Sequence, residues 1–324
     1  MKRNSLIASL LIVTSLVAAS CGRGKPSAGS APLPTREFPQ LRASQMHPDG
    51  PLGAAKDVVI RFWDGYFKDI ASFRSDSLYP GGVERTRLEE AYGLYATLLW
   101  NVPPETARTS TARLYDQLAA ARDSVVTAAM VDWTSRYLYD PNSPVRCEDF
   151  YRPFVEKLAK GDLAPEEMKM MYDFQARMCA LNAMGTPAAD FGFTDTRGRK
   201  RTLYDIPAEY TLLIFGNPDC HACKELVVDM EADPMVAKLC SSGRLQVVDI
   251  FIDREVDSWK AHVADYPADW INGYDHTFQI REDILYNVRA LPSMYLLDKD
   301  KTVLLKDAPT DILLSALSNI AYSE

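Results

Sequence analysis

A chain of 324 residues, 47% of them apolar and 25% charged, is long enough to bury two separate cores. Its formal net charge of −8 comes with no basic stripe, which excludes a nucleic-acid footprint. Beyond the first twenty residues no apolar run approaches membrane-spanning length, and no Gly-rich phosphate loop, His-Glu-x-x-His motif or internal repeat implies a cofactor or a resident metal.

Met1, Lys2 and Arg3 followed by an apolar run from Leu6 to Ala19 form an export leader over residues 1–20. Val17, Ala18, Ala19 and Ser20 lead into Cys21, which resembles a bacterial lipobox, whose cysteine is acylated and becomes the mature N-terminus. The chain departs from that motif at Ala18, where leucine is usual. Ordinary cleavage after Ser20 would instead leave Cys21 a free thiol. Acylation at Cys21 would hold the protein on a membrane. Residues 21–50 then read as a flexible tether, since 12 of the 29 residues after Cys21 are Gly, Pro or Ser and no apolar period recurs.

Residues 51–184 read as an all-α domain. Val58, Val59, Phe62, Trp63, Tyr66 and Phe67 form one wide stripe at helical spacing. Leu88, Ala91, Tyr92, Tyr95, Leu98 and Leu99 repeat it until Pro103 and Pro104. Ala107 to Tyr139 predicts one or two further helices, ended by Asp140 and Pro141. Glu148–Lys160 and Pro165–Met184 predict a helical hairpin around Gly161. Trp63, Trp100 and Trp133 lie inside these stripes, so they read as core rather than as a peptide groove. No catalytic constellation falls in this half.

Residues 185–324 change period. Ala189 to Leu203 alternates across Gly198 as a β-hairpin. Thr211–Phe215 is an apolar strand, Arg244–Ile252 a second, and Ser293–Leu297 and Thr302–Lys306 two more, with helical character near Val256–Val263, Gln279–Val288 and Asp311–Ile320. Between the first strand and a helix running toward Leu239 stand Cys220, His221, Ala222 and Cys223. A Cys-x-x-Cys pair at a strand-to-helix turn places Cys220 at the helix N-terminus, where unbonded amides and the dipole favour a thiolate. Cys223 returns to the same side and can resolve a mixed disulfide. A zinc half-site would need a second Cys-x-x-Cys or a His-x3–5-His pair, and neither is present.

The Asp190-Phe191…Gly198…Leu203 hairpin, Phe215-x-x-Pro218-x-Cys220-x-x-Cys223, and Val288-Arg-Ala-Leu-Pro292-Ser-Met-Tyr-Leu-Leu-Asp298 occur in that order, with 72 residues from Cys220 to Pro292. Residues 187–324 thereby resemble the thioredoxin-like superfamily, nearest its TlpA/ResA branch of thiol-disulfide oxidoreductases. The first half resembles the helical domain that precedes such modules in lipoproteins of the Bacteroides group. The resemblance implies an α/β thioredoxin-like fold after the helical domain. It also implies catalytic Cys220 and Cys223, a cis-proline at Pro292, and a Leu291 main chain free to bind an extended substrate segment. It implies disulfide-containing exported proteins as substrates and an upstream membrane or periplasmic electron donor. Surface-exposed lipoproteins of that group often carry an acidic cluster after the acylated cysteine. None follows Cys21, so a periplasm-facing location is expected.

The chain departs from the family in places. Thioredoxin buries an aspartate six residues before its first cysteine, where this chain has Ile214, leaving Asp219, Glu225 or water to carry the resolving thiol's proton. Asp219 replaces a common tryptophan, and its charge opposes a thiolate. His221 can offset that charge, and contact substrate, or simply face solvent. Two other functions fit less well. A peroxiredoxin places Thr or Ser where this chain has Asn217, and a copper carrier needs Cys-x-x-x-Cys with a downstream histidine. Of the remaining cysteines, Cys147 and Cys179 each lie 16 residues from Leu163 at the hairpin turn, which predicts a Cys147–Cys179 disulfide, with Cys240 left as a single buried thiol.

Overall fold

A computed structural model describes residues 31–39 and 52–323, with side chains on the second stretch from residue 55. The chain divides into one unit of Met1–Leu33 and a second of Pro34–Glu324. The leader and Cys21 lie outside the described residues.

Part of the expected tether is packed. The backbone carbonyl of Pro34 accepts from Arg74 at 2.9 Å. The Arg36 guanidinium donates to the carbonyls of Tyr66, Lys68 and Gly81 and lies 4.2 Å from the centroid of the Phe73 ring. Phe38 meets Phe62 and Trp63 at ring separations of 5.9 and 5.7 Å. One arginine and one aromatic suffice to dock this short segment on an aromatic surface despite the tether's Gly-, Pro- and Ser-rich composition.

The helical region follows its stripes. It comprises α1 (Leu52–Ile60), α2 (Asp64–Phe67), α3 (Arg85–Leu99), α4 (Pro104–Ala121), α5 (Ser124–Thr134), α6 (Glu148–Lys160) and α7 (Glu166–Ala180). The first stripe is split between α1 and α2, which lie either side of a turn at residues 61–63. Leu88, Tyr92, Tyr95, Ala96 and Leu99 are the buried face of α3. Pro104 then opens α4, where a proline sacrifices no hydrogen bond. The Asp123 carboxylate caps α5 by accepting the Val125 and Val126 amides, both at 3.0 Å. Trp63 and Trp133 are buried, and Trp100 donates its indole N–H to the Val145 carbonyl at 3.2 Å.

The second half forms a seven-stranded mixed sheet. Its strands are β1 (Gly192–Asp195), β2 (Lys200–Thr202), β3 (Tyr210–Gly216), β4 (Leu245–Phe251), β5 (Ile271–Tyr274), β6 (Ser293–Leu297) and β7 (Val303–Lys306), in the order β2-β1-β5-β4-β3-β6-β7. β3, β4 and β5 are parallel, and β6 and β7 add antiparallel beside β3. The helices are α8 (His221–Ala232), α9 (Pro234–Ser241), α10 (Val256–His262), α11 (Gln279–Glu282) and α12 (Thr310–Tyr322). Strand alternation splits the sheet faces. Leu212, Ile214, Val247 and Leu296 meet Leu226, Met230, Leu239 and Leu317 from α8, α9 and α12. Leu213, Phe215, Ile250 and Tyr295 join the helical region in one continuous core.

Three expectations change. The helix after the redox turn ends at Ala232, because Asp233 caps a new helix that Pro234 begins. Residues 271–274 form β5, hidden in the sequence by Asn272 and Gly273. The helix expected over Gln279–Val288 is only the single turn α11, since Phe278 and Ile284 both take left-handed backbone, at φ 58° and 52°.

Cys147 and Cys179 are two free, buried thiols rather than a disulfide. Cys147 is not on the helix. It precedes α6 in extended backbone, φ −159° and ψ 106°, and so lies outside the helical register on which the pairing was expected. Glu148 and Asp149 lie near both thiols, and Lys306 and Arg289 also border Cys179. Cys240 is half-buried on α9, and burial pushes its thiol up to about 11.

Candidate active site

The apolar strand β3 ends at Gly216, and the turn Asn217–Asp219 delivers Cys220 to the head of α8. Cys220 holds extended backbone, φ −81° and ψ 122°, as the residue before the helix. Its Sγ accepts the Cys223 amide at 3.3 Å, so a free first-turn N–H points at the sulfur. The same thiol donates to the Leu291 carbonyl at 3.6 Å. Cys220 is partly accessible, while Cys223 is 3% exposed. Burial, then contact with Cys220, pushes the Cys223 thiol far up. An accessible sulfur over a buried one suits attack by the first and resolution by the second.

The Leu291–Pro292 peptide is cis, and both residues are partly accessible beside Cys220. His221 is exposed and lies 3.1 Å from Glu225, one turn along α8, rather than against the sulfur. The Asp219 carboxylate accepts from Ser258 Oγ at 2.8 Å. Asn217 Nδ2 donates to Asp253 Oδ2 at 2.8 Å, which ties the turn to the segment after β4.

One group escaped the sequence reading. Asp249 on β4 pairs in register with Ile214 on β3 and is 4% exposed. Alternation puts it on the same sheet face as Leu245 and Val247, the face that α8 covers. A Cβ on Gly216 would come 2.7 Å from Asp249 Oδ2, so the glycine leaves room for the carboxyl at the strand end that leads into the redox turn. Burial alone lifts Asp249 to about 7, and its charge is among those felt by Cys223. The buried carboxyl expected where Ile214 stands is thus one strand across. Its signal was available: Asp249 is the single charged residue inside the run Leu245–Ile252. Tyr266 borders the same place, its phenol pushed up by burial and then by Asp249 and the two cysteines.

A mixed sheet with β3 at its centre, a cysteine pair at the head of the helix that follows β3, and a cis-proline beside the outer sulfur define a thioredoxin-fold protein of the thiol-disulfide oxidoreductase type. The chain belongs to the thioredoxin-like family. It is 34% identical to a thioredoxin-like protein from Bacteroides caccae over 87% of this chain and 97% of that one, with a TM-score of 0.71. The C-terminal domain of an uncharacterized protein from Bacteroides fragilis is 45% identical over 43% of this chain and 99% of that one, TM-score 0.42. A domain of a possible thiol-disulfide isomerase from Cytophaga hutchinsonii is 26% identical over 43% of this chain and 94% of that one, TM-score 0.35. Residues 62–181 match a family described as a domain of unknown function (DUF5106). No curated protein matches the chain.

Proposed function

We propose that this protein is a membrane-tethered, periplasm-facing thiol-disulfide oxidoreductase that reduces or isomerises disulfides of exported proteins. The observation that carries the reading is the contrast between the two sulfurs. Cys220 is reachable, receives a helix-start amide and lies against Leu291, while Cys223 is sealed beneath it beside Asp249.

Cys220 attacks as the thiolate, forming an S–S bond to one substrate sulfur and expelling the other as a thiolate. Cys223 then loses its proton, with the Asp249 carboxylate as acceptor, and attacks Cys220 Sγ. That step forms the Cys220–Cys223 disulfide and releases the substrate dithiol, so two electrons pass from protein to substrate. A dithiol donor on the membrane or in the periplasm returns them. In isomerisation the second step is omitted, and a substrate thiolate displaces Cys220. Leu291 and Pro292 border the attacking sulfur and are the place for a substrate strand, with the exposed His221 at its edge.

The test is Cys223→Ser incubated with periplasmic extract or with oxidised insulin. A mixed disulfide through Cys220 that disappears with dithiothreitol is expected. Equal alkylation of Cys220 and Cys223 in the wild type, with no trapped adduct, would overturn the assignment.

A further inference from the structure

The helical region meets the redox module through an apolar core and through buried polar contacts, among them Arg146 with Asp307 and Lys306 with the carbonyls of Cys179 and Leu181. Residues 283–292, which lead from α11 to Pro292, form no helix or strand and carry the Leu291 carbonyl that faces Cys220. Side chains from the helical region and the link after it hold this segment. Asn182 Nδ2 donates to the Leu285 carbonyl at 2.8 Å. Glu148 Oε1 accepts from Asn287 Nδ2 at 2.8 Å and from Arg289 Nε at 2.7 Å. Arg289 also donates to the Tyr139 carbonyl, and its guanidinium lies 4.0 Å from the centroid of the Tyr139 ring. The second oxygen of Glu148 lies 2.7 Å from Lys306 Nζ on β7, and β7 pairs with β6, the strand that begins immediately after Pro292. Glu148 and Lys306 are 3% and 2% exposed. One buried carboxylate of the helical region therefore grips the chain on both sides of Pro292.

We propose that Glu148 is a positioning residue for disulfide exchange, acting through Asn287 and Arg289 to hold the Leu291–Pro292 loop in the shape that receives a polypeptide substrate. The helical region is then the substrate-loop clamp of this enzyme. The inference rests on the oxidoreductase reading given above. Two residues separate Arg289 from the Leu291–Pro292 bond, so fixing the guanidinium restricts how far the binding backbone can swing. Without the clamp, a polypeptide lying along the loop has to order it on binding, and affinity falls. A small disulfide needs only the two sulfurs and does not depend on the loop.

The experiment compares wild type and Arg289→Ala, with dithiothreitol as donor, on oxidised insulin and on bis(2-hydroxyethyl) disulfide. The expected result is a rise of roughly tenfold in KM for insulin with kcat within about twofold. The small-disulfide rate and the potential of the Cys220–Cys223 couple stay unchanged. Arg289→Lys should recover part of the loss. Asn287→Ala, which removes one bond and no charge, should move KM the same way by less, and it carries the test if Arg289→Ala does not fold. An unchanged insulin KM in both variants, or equal losses on both disulfides, would overturn the clamp. A wild-type protein that reduces the small disulfide but never insulin would remove the clamp together with the polypeptide-substrate reading. A wild type inert on both would refute the oxidoreductase reading itself.

Discussion

Asp249 stands level with Ile214 across the parallel β3–β4 pair, buried on the side of the sheet that α8 covers. Gly216, two residues past Ile214, has no Cβ to strike it. The arrangement stations an ionisable carboxyl behind the buried thiol without putting it on the strand that carries the cysteine turn.

Removing that carboxyl should change both stability and rate with a definite sign. Burial raises Asp249 from 3.8 to about 7 in the folded protein. Below about pH 4 the group is protonated in both states and its contribution to stability is fully present. Between about pH 4 and 7 the unfolded chain ionises while the folded one resists, so stability falls by about 4 kcal/mol before levelling. Unfolding in denaturant at several pH values should therefore show wild type losing about that amount relative to Asp249→Asn from pH 4 to 8, so that the variant becomes the more stable protein at the upper end. In stopped-flow resolution of a mixed disulfide, the inflection near pH 7 should disappear in the variant. A variant that keeps the inflection would assign the proton to another group.

The redox turn, the hairpin, strands β3, β4, β6 and β7, and the proline facing the sulfur were all readable. Each depends on local pattern: Cys-x-x-Cys after an apolar run, alternation around Gly198, or helical stripes in residues 58–176. What escaped depends on contacts distant in sequence. Glu148 and Asp149 look like ordinary solvated acids of a helix's first turn, yet Glu148 finds Arg289 and Lys306 more than a hundred residues away. Arg36 and Phe38 look like linker until the aromatic surface they dock on exists. β5 pairs through its backbone on both sides, which asks little of its side chains, so its polar residues gave no strand signal. Asp249 could be noticed as a charge in an apolar strand, but its position behind Cys223 required the β3–β4 register.

The proposed export and anchoring rest on residues 1–21, and fractionation checks them directly. Cys21→Ala should move the protein from the membrane pellet to the soluble fraction and abolish the mass that delipidation removes from the wild type. A variant that stays in the pellet with no lipid-dependent mass in the wild type would exclude acylation at this cysteine.

The two buried cysteines of the helical region give a test that separates free thiols from a bridge. Both are at most 1% exposed, and burial pushes both thiols up, so neither should react with Ellman's reagent in the native protein. In a Cys220→Ser/Cys223→Ser background, unfolding should make both alkylatable without reductant. Dithiothreitol should leave the melting temperature unmoved. Cys179→Ser should destabilise by about 1–3 kcal/mol, because a hydroxyl replaces an apolar thiol where burial leaves little to bond it. A bridge would behave differently: reductant alone would lower the melting temperature, and either single substitution would remove about 2–5 kcal/mol while freeing the partner thiol. The two free, buried thiols favour the first outcome. A cross-linked peptide joining 147 and 179 in a non-reducing map would refute it.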